Sequence, residues 1–230
     1  DVDAGTHPYI ATGLKDNKFG VGIDETAPLY RDAARRPGLE VVGIDCHIGS
    51  QITELAPYLD AADRVLDVVD ALEREGIGLR HLDFGGGLGI RYQDESPPAS
   101  GELVRALLQR VDARGFGAKT VMVEPGRSLV GNAGMLITRV EYLKHGAAKN
   151  FAIVDAAMND LLRPTLYDAW MNVMPVEVRS EPTQTYDVVG PVCESGDWLA
   201  RDRALSLAPG DLLAIAGAGD ERQLFTLVHD

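Results

Sequence analysis

From about residue 26 the chain alternates stretches of helical periodicity with short runs of consecutive apolar and β-branched residues. Thr26-Ala27-Pro28 predicts a helix start, a capping hydroxyl followed by proline in the first turn. Arg35-Arg36-Pro37-Gly38 predicts its end, and Leu39 to Cys46 reads as a buried strand. The strongest pattern follows. Leu59, Ala62, Leu66, Val69 and Leu72 return every three or four positions and form one apolar face. Asp60, Asp63, Arg64, Asp67 and Glu73 fill the rest, and Gly76 stops the helix. A strand from Leu79 to Phe84 runs into Gly85-Gly86-Gly87, and a helix is predicted from about Gly101 to Arg114. The strand Thr120 to Val123 then leads to Glu124-Pro125-Gly126-Arg127.

Strand, loop and helix in repetition predict a parallel sheet with crossover helices. Three such strands are too few to close an eight-stranded barrel, so either the sheet is open or further strands lie upstream of Asp1. After about Gly134 the texture changes. Met135 to Leu143, Asn150 to Ala156, Thr185 to Val189 and Asp211 to Ala216 read as strands. Turn-rich connections separate them: His145-Gly146, Ser180-Glu181-Pro182 and Ala208-Pro209-Gly210. No long amphipathic helix intervenes. The expected organisation is part of an α/β barrel over residues 1–133 and a mostly antiparallel β domain over 134–230. There is no internal repeat and no low-complexity segment.

Composition narrows the function classes. Among 230 residues, 22 Lys and Arg face 35 Asp and Glu, a net charge of −13. That balance argues against nucleic acid, whose phosphates call for a basic surface. A hydrophobic share of 45% excludes a disordered chain and leaves enough apolar material for a core. Cys46 and Cys193 stand too far apart in sequence to suggest a disulfide framework, and a cytoplasmic free-thiol protein fits best. No stretch approaches the roughly 18 consecutive apolar residues of a membrane helix.

Three loops hold the same place in the predicted pattern: His47-Ile48-Gly49-Ser50-Gln51, Gly85-Gly86-Gly87-Leu88-Gly89 and Glu124-Pro125-Gly126-Arg127-Ser128. Each follows a parallel strand, so all three face the rim on which α/β barrels place their chemistry. Consecutive glycines let backbone N–H groups approach an anion, and a helix that follows would add its positive end. A tight turn without a ligand explains them too. The dinucleotide fingerprint fails, because Ile90 stands where its last glycine would be. His47 is either a packed histidine or a ring for stacking on a flat cofactor with Ser50 at its phosphate. Glu124 is either a helix-start carboxylate or a partner for a pyridine nitrogen. Farther on, Arg163-Pro164-Thr165-Leu166-Tyr167 and Gly190-Pro191-Val192-Cys193-Glu194-Ser195-Gly196-Asp197 stand out. The acidic neighbours Glu194 and Asp197 disfavour a negative sulfur, which suits Cys193 to donating a proton rather than to nucleophilic attack. No CxxC, HExxH or histidine cluster is present, so neither zinc nor another metal is expected.

Taken in order, these motifs resemble the pyridoxal-phosphate-dependent diaminopimelate decarboxylases, of the alanine-racemase-like fold. The resemblance runs from Asp3-Ala4-Gly5-Thr6-His7 to about Ala218. It implies pyridoxal 5'-phosphate as cofactor, with His47 stacked on its ring and Ser50, Gly85, Gly86, Gly87 and the backbone around Pro125 and Gly126 at its phosphate. It implies Glu124 on the pyridinium nitrogen, and Arg127, which borders the cofactor, with Arg163 and Tyr167 on the substrate carboxylate. Glu194 would take the distal ammonium, and Cys193 would donate the proton that replaces the departing carboxylate. Cys193 and Glu194 would serve the neighbouring subunit, which implies a homodimer. The implied reaction takes meso-2,6-diaminopimelate to L-lysine and CO2. Decarboxylation of ornithine or arginine, or a non-catalytic regulatory relative, is the alternative. The family's Schiff-base lysine belongs upstream of Asp1, and none of Lys15, Lys18, Lys119, Lys144 or Lys149 stands in its motif. After Gly217-Ala218 the family continues with a tyrosine-containing segment, where this chain passes to Gly219-Asp220-Glu221-Arg222 and an apolar ending, Leu224 to Val228.

Overall fold

The computed structural model describes residues 18–219, so the motif at Asp3 to His7 and the ending from Asp220 onward lie outside the described residues. The chain divides into two compact units. One reaches Ile90 and resumes over Ser96–Ser128, and the other takes Arg91–Glu95 and continues from Leu129.

The first unit is α/β-barrel material. Its elements are α1 (Ile23–Ala33), β1 (Gly43–Asp45), α2 (Ala56–Arg74), β2 (His81–Gly86), α3 (Ser100–Ala113) and β3 (Thr120–Glu124). The three strands form a parallel sheet in the order β1-β2-β3, with Ile44 opposite Leu82 and Leu82 opposite Val121. The α2 stripe is close to the predicted one: Ala62, Leu66, Val69 and Leu72 lose all solvent contact. Burial contributes about 1.5–3 kcal/mol for each large aliphatic side chain. At the start of α2, however, Tyr58 is buried where Leu59 is only half-buried. Leu103, Leu107 and Val111 of α3 join the same core, beside Leu82 and Phe84 of β2.

Two local expectations change. α1 begins at Ile23, ahead of Thr26, and carries Pro28 inside its second turn. The Thr26 hydroxyl lies 3.1 Å from the Gly22 carbonyl, so it donates backward along the helix instead of capping it. β1 keeps only Gly43–Asp45 of the strand predicted over Leu39 to Cys46. A strand exists where a partner offers its ladder, and the β2 register meets just those three residues.

A short helix, α4 (Arg127–Val130), ends at a 3-10 turn that leads into the second unit. There follow β4 (Met135–His145), β5 (Asn150–Val154), α5 (Leu162–Tyr167), β6 (Val173–Pro175), β7 (Gln184–Val189), β8 (Trp198–Leu205) and β9 (Leu212–Ala216). They make one sheet in the order β6-β9-β4-β5-β7-β8. Every pairing is antiparallel except β5 with β7. Its core gathers Val140, Ala152, Val154, Val188, Leu199, Leu213 and Ile215.

β6 and β8 are absent from the sequence reading, each for a visible reason. β6 is three residues long and ends on Pro175. β8 carries Arg201-Asp202-Arg203, which breaks the apolar alternation. The strand tolerates these charges because their neighbours absorb them. The Arg201 guanidinium lies over the Trp198 ring at 3.6 Å, and that of Arg203 lies over Trp170 at 4.8 Å while donating to the Met171 carbonyl.

Candidate functional site

The loops after β1, β2 and β3 close on one another through backbone, and the glycines make that approach possible. A Cβ on Gly85 would sit 2.3 Å from the Cys46 carbonyl, one on Gly86 2.1 Å from that of Glu124, and one on Gly87 2.0 Å from that of Gly49. Gly85 and Gly87 also hold φ values of +68° and +90°. The run is therefore required by loop packing before any ligand enters. The helix that follows, α3, starts at Ser100, close to the predicted Gly101 and well beyond the glycine run.

Two of the three glycine amides are engaged inside the loops. The Gly85 N–H donates to Asp83 Oδ1 at 2.9 Å, a side-chain turn of the Asp-x-Gly type. The Gly86 N–H donates to Nδ1 of His47 at 3.3 Å. In that contact Nδ1 is the acceptor. His47 itself is exposed. Beneath the loop the buried Tyr58 hydroxyl donates to the Gly86 carbonyl at 3.1 Å, and burial pushes the phenol above its ordinary value.

Gln51 ties the first loop to the second. It holds a left-handed φ of 59°, and its amide donates to the Ile90 carbonyl at 2.7 Å and accepts from the Ile90 N–H at 3.1 Å. Ile52 extends the same zipper, donating to Gly87 O and accepting from Gly89 N, both at 2.9 Å. The third loop is joined by charge. Arg127, buried to 8% exposure, donates through a terminal guanidinium nitrogen to the Ser50 hydroxyl at 3.0 Å. Pro125 and Gly126 make the short turn between the Glu124 carboxylate and this arginine.

Carboxylates crowd the same rim. Asp45, Asp83 and Glu124 each bring an oxygen into a group that lies within 4.8 Å of one another. Partial loss of solvent and the Asp83 charge raise the Asp45 carboxyl above its ordinary value, against a smaller pull from His47. The half-buried Cys46 thiol next to it is pushed up to about 12, by loss of solvent first and then by Asp45 and Asp83. A trio of this kind suits a cationic partner, whether a protonated ring nitrogen or a hard cation.

The second unit gathers the remaining candidates around α5. Arg163, 4% exposed, lies over the Tyr92 ring at 4.8 Å and the Tyr167 ring at 5.6 Å, both aromatic faces serving its cation. Thr165 of the same helix lies 2.7 Å from the Gly196 carbonyl and 3.2 Å from that of Trp198, so its hydroxyl ties α5 to the loop of Cys193 and Glu194. Cys193 and Glu194 are exposed. Asp197 differs from the sequence reading: its carboxylate turns inward and is taken up by backbone amides instead of facing the thiol.

Sequence reasoning thus missed Tyr58, Tyr92 and Thr165, set Asp197 against the thiol where its carboxylate instead takes backbone amides, and gave Gln51 no role. The Asp-x-Gly spacing at Asp83 was a readable signal for its turn. Nothing in the sequence marks Tyr58 or Tyr92, whose partners lie on distant segments.

A family model described as "Pyridoxal-dependent decarboxylase, pyridoxal binding domain" matches residues 1–131. The chain is 60% identical over 219 residues to the diaminopimelate decarboxylase of Pseudomonas aeruginosa, and 57% to that of Pseudomonas fluorescens. Each match covers 95% of this chain and 52% of the relative, so the chain spans about half the length of these relatives. The crystal structure of diaminopimelate decarboxylase from Helicobacter pylori complexed with L-lysine superimposes with a TM-score of 0.89 at 41% identity. That match covers 96% of this chain and 55% of the crystallised one.

Proposed function

Because the chain belongs to the pyridoxal-dependent decarboxylase family, we propose that it forms part of a diaminopimelate decarboxylase, which converts meso-2,6-diaminopimelate to L-lysine and CO2. The observation that carries this reading is the 60% identity over 219 residues to an enzyme of that name. The chemistry of the two residue clusters supports it.

The first cluster fits pyridoxal phosphate by its donor set. A hydroxyl and a buried guanidinium already joined, Ser50 and Arg127, offer hydrogen bonds and positive charge to a phosphate. Their pairing favours the cofactor phosphate over the substrate for Arg127. The Gly85–Gly87 run packs the three loops tightly against one another beside this pair, with Pro125 and Gly126 bordering it. His47 presents an exposed ring whose orientation the Gly86 amide fixes, as stacking on a flat heterocycle needs. When bound, pyridoxal phosphate supplies an electron sink for the pair left on Cα as CO2 departs.

The protein's residues then have distinct tasks. Glu124 would hold a proton on the ring nitrogen, with the Asp45 and Asp83 carboxyls nearby. Arg163, buried among Tyr92 and Tyr167, meets the substrate carboxylate, and Tyr167 is its neighbour in that task. Glu194 meets the distal ammonium. A diamine with two carboxylates calls for both charges, whereas a simple diamine precursor has only an amine at its far end. The Cys193 thiol delivers its proton to Cα after CO2 leaves.

The exposure of Cys193 and Glu194 in one chain fits a homodimer in which each copy completes its partner's site. A cytoplasmic setting fits the two free cysteines, and no helix among the described residues is long and apolar enough to cross a membrane. Lys119 is engaged by Glu73 and the Leu79 carbonyl, and Lys149 by Asp187.

The test compares CO2 release from meso-diaminopimelate, ornithine and arginine by the holoenzyme. The expected result is turnover confined to diaminopimelate, with lysine as product. Equal rates on all three would refute the Arg163 and Glu194 assignment. Cys193→Ala should cut turnover at least about a hundredfold, in the range of a lost general acid, while the cofactor's visible absorbance stays.

A further inference from the structure

The geometry points to Asp197 as the positioning residue of the Gly190–Asp197 loop: its buried carboxylate sets the loop shape that presents Cys193 and Glu194. This rests on the functional reading above for what the loop does, but the holding itself rests on contacts in the second unit.

Asp197 is 4% exposed. Its Oδ1 accepts the Met158 N–H and its Oδ2 the Val192 N–H, both at 2.7 Å. Val192 adjoins Cys193, so the loop is gripped at the residue before the thiol. The backbone of Asp197 closes the remainder, its N–H donating to the Glu194 carbonyl at 3.0 Å and its carbonyl accepting the Gly190 N–H at 3.1 Å. One residue therefore joins the start, the middle and the end of the loop and ties them to the segment after β5.

Gly190 is shaped to this carboxylate. A Cβ there would lie 2.4 Å from Oδ2, 2.7 Å from Oδ1 and 2.8 Å from the Ala156 carbonyl, so the acid occupies the space a side chain would need. The loop's other acid behaves oppositely. Glu194 is exposed, and the one hydrogen bond described for its carboxylate is a 3.4 Å approach from the Gly196 N–H. Of two acids three positions apart, the inner one is structural and the outer one is left for a ligand.

Only a carboxylate satisfies both amides. An asparagine would set an NH2 against one of the two N–H donors and leave it buried without an acceptor. Glutamate is one methylene too long for a site already closed against Gly190.

The experiment compares Asp197→Asn, Cys193→Ala and the double variant in the holoenzyme, with amide hydrogen exchange alongside. Asp197→Asn is expected to lower kcat on meso-diaminopimelate about tenfold or more, with the cofactor absorbance unchanged. On the Cys193→Ala background the further loss should be clearly smaller, since the part that acts through the thiol is already gone and only the part through Glu194 remains. Exchange should quicken over residues 190–197 and at Met158 and leave β4, β5 and β9 unchanged. An unaltered kcat, additive losses, or exchange rising through the whole sheet would each overturn the proposal. If Asp197→Asn does not fold, Gly190→Ala displaces the carboxylate from the other side and should produce the same local exchange. Wild-type enzyme inactive on diaminopimelate would sink the functional reading alone, because the exchange result decides the loop-holding role independently.

Discussion

Gln51 holds both backbone polar groups of Ile90, donating to the carbonyl at 2.7 Å and accepting from the amide at 3.1 Å. A side-chain amide is thereby used as an extra rung of backbone pairing, beside the single Ile52–Leu88 bridge. Gln51→Glu keeps the size and loses the donor, and brings a carboxylate against the Ile90 carbonyl. The expected cost is about 1–3 kcal/mol of stability, the range for a buried polar group left without its partner. A chemical melt reads it, and the cofactor should bind more weakly because Ser50 is the next residue. An unchanged melting midpoint would remove the clamp.

Glycine is required at 87 for two reasons and at 210 for one. Both have positive φ near +90°, yet a Cβ meets the Gly49 carbonyl at 2.0 Å in the first case and nothing within 4 Å in the second. Gly210→Ala should therefore cost only the backbone strain, about 1–3 kcal/mol. Gly87→Ala should cost distinctly more and abolish cofactor absorbance, since the loops must part to admit the methyl. Thermal melts of the two variants, side by side, check this; equal losses would mean that conformation alone selects the glycine.

The Asp45 carboxyl is raised above its ordinary value of 3.8, so the folded protein holds this proton more tightly than the unfolded chain does. Its contribution is then favourable below the ordinary value and is lost as pH rises through the folded value. At neutral pH the ionised group is a burden beside Asp83. Asp45→Asn should melt higher than wild type at pH 7 in cofactor-free protein, with the advantage vanishing at pH 3. A variant that melts lower at pH 7 would show that Asp45 is held by a cation instead.

The two thiols should separate chemically. Cys46 is held protonated up to about 12, whereas Cys193 lies exposed. The thiolate is the reactive form, so alkylation at pH 8 should label Cys193 and spare Cys46 until the protein is denatured. Mass spectrometry of the labelled peptides reads the outcome, and early labelling of Cys46 would contradict its burial.

Periodicity determined much by itself. The α2 stripe, the β2 and β3 strands and the hairpin at His145-Gly146 depend on local spacing and turn chemistry, which sequence displays directly. The site motifs were legible as residue types at the ends of strands, because parallel strands send their following loops to one rim. Tertiary structure decided the rest. β1 is as short as its partner's register allows, and β8 hides its strand behind charges that solvent, Trp170, Trp198 and Met171 make tolerable. The glycine run reads alike as ligand cradle or turn until the carbonyls of Cys46, Gly49 and Glu124 are seen against it. Asp197 and Glu194 look equivalent in sequence, and folding gives one to the backbone and leaves the other to solvent. That difference arises from contacts between segments far apart in the chain, and no local pattern encodes it.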